Sequence, residues 1–120
     1  MPAPSPLAIT TSSVQRLLKE EASYHKELAE QQKTVQDLEA KLKAGGADDD
    51  GNEAFMLKQQ QTAIEQTKAV FGPLKQRIAD AVAKLEDQLQ AAEQQAAAPE
   101  GEVAHARTVL AQAKAVAVAA

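Results

Sequence analysis

VQRLLKEEASYHKELAEQQKTVQDLEAKL, residues 14–42, is the stretch on which the fold turns. Counted in sevens from Val14, it places Val14, Glu21, Leu28, Val35 and Leu42 on one line. Counted from Leu17, it places Leu17, Tyr24, Gln31 and Leu38 on a second. Two such lines, three residues apart, are the a and d positions of a helix that buries a narrow face against a partner helix. Leu18 widens the face at its start. Most other positions are charged or carry amides, so the stretch predicts an amphipathic helix with a solvated back.

Outward from this helix the chain is punctuated. The pattern stops at AGGADDDGN, residues 44–52, where Gly45 or Gly46 can end a helix with a left-handed residue and Asp48–Asp50 repel one another in a turn. Upstream, Pro2, Pro4 and Pro6 predict a loose segment over residues 1–11, with Leu7 and Ile9 able to tuck against a helix end. Ser12 or Ser13 is the expected N-cap. A second helix starts near Asn52 or Glu53. Leu57, Ile64, Phe71, Ile78 and Leu85 form one line, and Gln60, Thr67, Leu74, Ala81 and Gln88 the other, thickened by Val82 and Leu89. Gly72–Pro73 predicts a kink, because proline removes a helical hydrogen bond and clashes with the carbonyl four residues back. The seven-residue phase continues across Pro73, which favours one kinked helix over two. Residues 92–101 read as a fading helix end and linker. A third helix follows with the stripe Val103, Ala106, Leu110, Ala113 and Ala117. Alanine favours helix but gains little by burial, so this helix is expected to be the least stable.

These readings predict an all-α fold: an elongated antiparallel three-helix bundle, a spectrin-like rod, with a proline kink in the middle helix. The helices are expected at about 12–43, 53–94 and 101–118, forming a single bundle over 12–118. At the helical rise, the second helix would be about 60 Å long. A short first loop makes helices 1 and 2 antiparallel. That sets Leu38 near Leu57, Val14 near Val82, and Tyr24 level with Gly72–Pro73. Glu21 falls near Lys75 or at a wet edge of the seam, and an exposed pair there would contribute little. Gln31 and Gln60 form a polar layer that weakens the seam but can fix register. Leu17 lies in the seam, so Leu17→Asp is expected to unfold the rod.

Composition narrows the function. The chain has 120 residues, 44% of them apolar, but aromatics are 2% and there is no cysteine. It is better suited to a thin seam than to a thick core. Thirteen basic and 17 acidic residues, well mixed, give a net charge of −4 and no basic face for nucleic acid or a membrane surface. No stretch approaches the roughly 20 apolar residues of a membrane span. The start, MPAPSPLAITTSS, lacks the features of a secretory signal, and a cytoplasmic protein is expected. Chemistry is sparse. Glu21 and His25 stand four apart, but two ligands on one helix are weak as a metal site, and both His25 and His105 read as solvated. Asp48–Gly51 lacks the alternating ligands and closing glutamate of a calcium loop. Gly45–Gly46 lacks the lysine and hydroxyl of a phosphate loop. No enzyme, cofactor or metal is expected. Binding surfaces remain: Arg16, Lys19, Lys26 and Lys33 lie on the outer face of helix 1, flanked by Glu20 and Glu27. Such charge by default solvates a face, but a partner can read it by complementarity.

The segment ITTSSVQRLLKEEASYHKE, residues 9–27, resembles the opening of the tubulin-binding cofactor A family. The matched positions are Thr11, Val14, Arg16-Leu17-Leu18-Lys19-Glu20 and Tyr24-His25-Lys26-Glu27. Pro73 has a counterpart in the family's second helix, and HARTVLAQA, residues 105–113, resembles its last helix. The resemblance covers residues 9–116. The Gly/Asp-rich first turn, the Ala-rich second linker and Gly72 depart from it and bear on loop shape and helix stability. The resemblance implies a small, nucleotide-free three-helix cochaperone; the polar seam residues Gln31, Gln60 and Gln88 favour a monomer, and a cytoplasmic, cytoskeleton-associated place is expected. Such a protein captures β-tubulin released from the cytosolic chaperonin and holds it for the later folding cofactors that assemble the α/β heterodimer. Among matched positions it points to Arg16, Lys19, Glu20, Lys26 and Glu27 as client contacts, with Tyr24 and Arg107 mainly structural. The alternative is a coiled-coil structural or adaptor module that self-associates or docks onto a non-tubulin assembly.

Overall fold

Ser5 starts the first helix. Its hydroxyl accepts the Ala8 amide at 3.1 Å and its carbonyl accepts the Ile9 amide at 3.0 Å, the pattern of an N-cap. Pro6 then occupies the first helical position, where a missing N–H costs nothing and a fixed φ is already helical. Helix α1 therefore runs Pro6–Lys43, so residues 6–11, expected to be loose, are helical, and the cap is Ser5 rather than Ser12 or Ser13; residues 1–3 of the expected loose segment lie outside the described residues. The structure, a computed structural model, describes residues 4–45, 51–95 and 98–119.

Gly45 ends α1 in the left-handed region at φ 76°, as its lack of a side chain allows. Lys41 and Lys43 in the last turn complement the negative end of the helix dipole. The turn expected over Gly46–Asp50 lies outside the described residues. Helix α2 spans Asn52–Gln95, opened by the Phe55 amide bonding the Gly51 carbonyl at 3.0 Å. Pro73 lies within it, so the chain does pass through the proline as one helix. Helix α3 spans Glu100–Ala119. The Pro99 carbonyl takes its first amides, from Glu102 at 3.0 Å and Val103 at 3.1 Å. The fold is all-α, a three-helix bundle.

Packing divides the chain into two compact units. The first joins Met1–Glu20 with Leu74–Ala120 and so contains parts of all three helices. Its core is Leu7, Val14, Leu85, Leu89, Ala92, Ala106, Val109 and Ala113, with Leu18, Val82 and Leu110 packed against it. Val14, Leu74, Leu85 and Val109 are fully enclosed, and burying side chains of this size stabilises by about 1.5–3 kcal/mol each. Facing two helices widens the buried stripe of α1. Leu7, Thr11, Val14 and Leu18 carry it; Leu17 and Leu18 are both half-buried, but it is Leu18 that packs against the core, whereas Leu17 was expected in the seam. Thr11 is tolerated there because its hydroxyl donates to the Leu7 carbonyl at 2.7 Å. Leu7 enters the core, while Ile9 is 56% exposed. On α3, Val109 is buried and Ala117 is exposed, which shifts the expected stripe.

The second unit, Glu21–Pro73, is a pair of helical segments with a thinner core. Val35, Leu38 and Thr67 are buried, and Leu28, Leu57, Ile64 and Phe71 are half-buried. Gln31 and Gln60 are half-buried at the expected polar layer, but Gln31 Oε1 is enclosed without a hydrogen-bond partner. An orphaned acceptor costs stability, but Gln88 Oε1 of the three-helix unit is enclosed without a partner as well, so what makes this unit the weaker is its thinner core.

Candidate functional site

The charged positions on α1 are divided between the two units. In the three-helix unit, Arg16 and Lys19 are exposed. Glu20 is half-buried and forms an ion pair with Arg77 of α2 at 3.8 Å. Helical register puts Glu20 one turn beyond Arg16, but its carboxylate turns partly toward α2. Glu20 thus differs from the outward-pointing residue expected from the sequence. In the two-helix unit, Lys26 and Glu27 are both exposed. Their long side chains are free to reorient, and complementary charge at such positions governs encounter with a partner more than tight retention.

Glu21, beside these residues, is only 5% exposed, which corrects the wet-edge placement. Among the described residues it forms no ion pair, with Lys75 or any other cation. His25 is exposed but is not merely solvated: its ring stacks on Phe71 at a centroid distance of 4.4 Å. Tyr24 meets the same Phe71 edge-on at 6.4 Å. Tyr24 lies level with the end of the segment leading to Pro73, and the phenylalanine takes the contact. The signal for this cluster was available, since Phe71 lies on the seam line at the level of Tyr24. Arg107 bonds Glu93 through both carboxylate oxygens, at 3.3 and 3.4 Å, and joins α3 to α2, in keeping with a structural role.

Among the described residues no group of three or more His, Asp or Glu is placed to hold a metal ion. No helix of the described residues is long and apolar enough to cross a membrane. What the molecule offers is helical surface.

A search among curated proteins and a search among solved structures yielded no match. A family model, Tubulin binding cofactor A, matches residues 2–110. The match runs through α1, the proline-containing α2 and the first half of α3, and the chain belongs to the tubulin binding cofactor A family.

Proposed function

We propose that the protein captures β-tubulin folding intermediates released from the cytosolic chaperonin and holds them before the α/β heterodimer is assembled. The observation that carries this reading is the family match across residues 2–110, which makes the chain a tubulin-binding cofactor with a chaperone role. The architecture supports it: three helices offer extended surface, and holding a client requires surface rather than bond-making chemistry. On this reading the protein works in the cytoplasm as a monomer that hands its client to later folding cofactors. Arg16, Lys19, Lys26 and Glu27 contact the client, and Glu20 contributes through its exposed portion while held by Arg77.

The test is size-exclusion chromatography of the full chain with isolated β-tubulin and isolated α-tubulin, run side by side. A one-to-one complex with β-tubulin alone is expected. Equal binding to both would remove the β-specificity. Binding to neither, while the chain is helical and monomeric, would overturn the capture reading. A chain that elutes as a stable oligomer and binds neither would instead favour a self-associating structural module.

A further inference from the structure

The chain holds two phenylalanines, and both lie in the two-helix unit. Phe71 is covered by Tyr24 and His25. Phe55 is 60% exposed. It closes one end of a shallow groove of about 390 Å³ lined by Phe55, Lys58, Gln59, Thr62, Ala63 and Gln66, all from α2. These residues recur at three- and four-residue spacing, so they form one continuous strip along the helix.

The strip is unlike an ordinary solvated helix back. Among the described residues that line it, Lys58 is the single charge and none is a carboxylate. Among the described residues Lys58 takes part in no ion pair. The Thr62 hydroxyl donates to the Lys58 carbonyl at 3.1 Å, so its polar atom is engaged with its own backbone and its methyl is the unengaged part. With the Ala63 methyl, the Phe55 ring and the stems of two glutamines, the strip is largely apolar at neutral charge. The outer face of α1, by contrast, presents Arg16, Lys19, Lys26, Lys33 and Glu27 to solvent. Aromatic enrichment with depletion of charge is the composition of an interface centre, and charge with mobility is that of a rim.

We propose that this strip of α2 is a client-contact surface in its own right. It receives an amphipathic helical segment of the bound tubulin, which sets an apolar side chain against Phe55 and Thr62 and a carboxylate on Lys58. The inference rests on the capture reading above. Charge selects the occupant: among the described lining residues one cation stands without a carboxylate beside it, and it complements a segment carrying an acid beside its apolar anchor. Spacing selects its form, because a helical ridge docks along a strip of this period.

The experiment compares the full-length wild type with Phe55→Asp and Lys58→Glu, titrating each with isolated β-tubulin. Circular dichroism reports folding, and sedimentation reports mass. Both side chains are exposed, so helicity is expected to be unchanged. Phe55→Asp is expected to weaken binding about tenfold or more, as loss of a central aromatic contact does. Lys58→Glu is expected to weaken it and to flatten its salt dependence, and this variant decides the matter if Phe55→Asp disturbs the helix. Wild-type binding matched by both variants would overturn this inference and leave the capture reading standing. A wild type that binds no tubulin would overturn both. A wild-type dimer split by Phe55→Asp would assign the strip to a second copy of the chain and overturn the tubulin segment as its occupant.

Discussion

His25 stacks on Phe71, with ring centroids 4.4 Å apart and planes inclined by 29°. The pair ties α1 to α2 just before Pro73, and Tyr24 meets the same phenylalanine edge-on. Aromatic pairs of this kind contribute about 0.5–1.5 kcal/mol beyond the area they bury. A double-mutant cycle of His25→Ala and Phe71→Leu, followed by urea unfolding, should return a coupling in that range. Additive effects would mean that the stack holds nothing and that Phe71 acts through burial alone.

Ser5 caps α1, and its hydroxyl also donates to the carboxylate of Glu102 in the first turn of α3. One side chain thus serves two helix starts in the three-helix unit. Ser5→Ala should cost about 1 kcal/mol, the usual loss for a cap. Ser12→Ala and Ser13→Ala lie inside the helix and should change stability little, since alanine is the better helix former. Equal effects at all three positions, read from urea midpoints, would return the helix start to Ser12 or Ser13.

That contrast shows what the sequence makes legible. The heptad lines from Val14 to Leu42 and from Leu57 to Leu89 suffice for the helical class, because period alone separates helix from strand. The start of α1 is masked in the sequence by three prolines that read as one block. Ser-Pro is itself a start signal, and only Pro6 sits where it serves. A two-helix pattern sets Leu17 in the seam, but here α1 faces two helices, so Thr11 is buried and Leu18 packs against the core. The same widening brings Val109 into the core of α3, one turn beyond Ala106. It follows that Val14→Asp, placed in a fully enclosed site, should unfold the three-helix unit, while Leu17→Asp should cost distinctly less. Thermal melts of the two variants decide this, and equal loss would restore the original seam. For the candidate site, the residue types were legible on α1. The ion pair of Glu20 with Arg77 and the exposure of Phe55 depend on side-chain direction, which spacing does not supply.

Glu21 is an acid on the buried line of α1, 5% exposed and in no ion pair among the described residues. Its carboxylate oxygens are not among the enclosed side-chain atoms that lack a partner, so the gain open to an apolar side chain of similar volume is the extra apolar surface it would bury on this line. Glu21→Leu should therefore raise stability by about 1 kcal/mol or more, seen as a higher urea midpoint with an unchanged slope. If the substitution destabilises the protein, the carboxylate has a compensating interaction and the seam was built around it.

Reversing Arg16, Lys19 and Lys26 to Glu tests the charged face of α1. All three side chains are exposed, and none joins an ion pair among the described residues, so the helical spectrum and the melting curve should be kept. Exposed charges mainly steer encounter, so the triple variant should bind β-tubulin more slowly, by about tenfold at low salt. Dissociation should change much less. The deficit should shrink as salt is raised, because the Debye length falls from ~10 Å at 0.1 M to ~3 Å at 1 M. Stopped-flow association measured at several ionic strengths separates the possibilities. A salt-independent loss would place these residues in tight, desolvated contact with the client. Unchanged kinetics at low salt would remove the α1 face from the binding surface and leave the groove at Phe55 as the site to map.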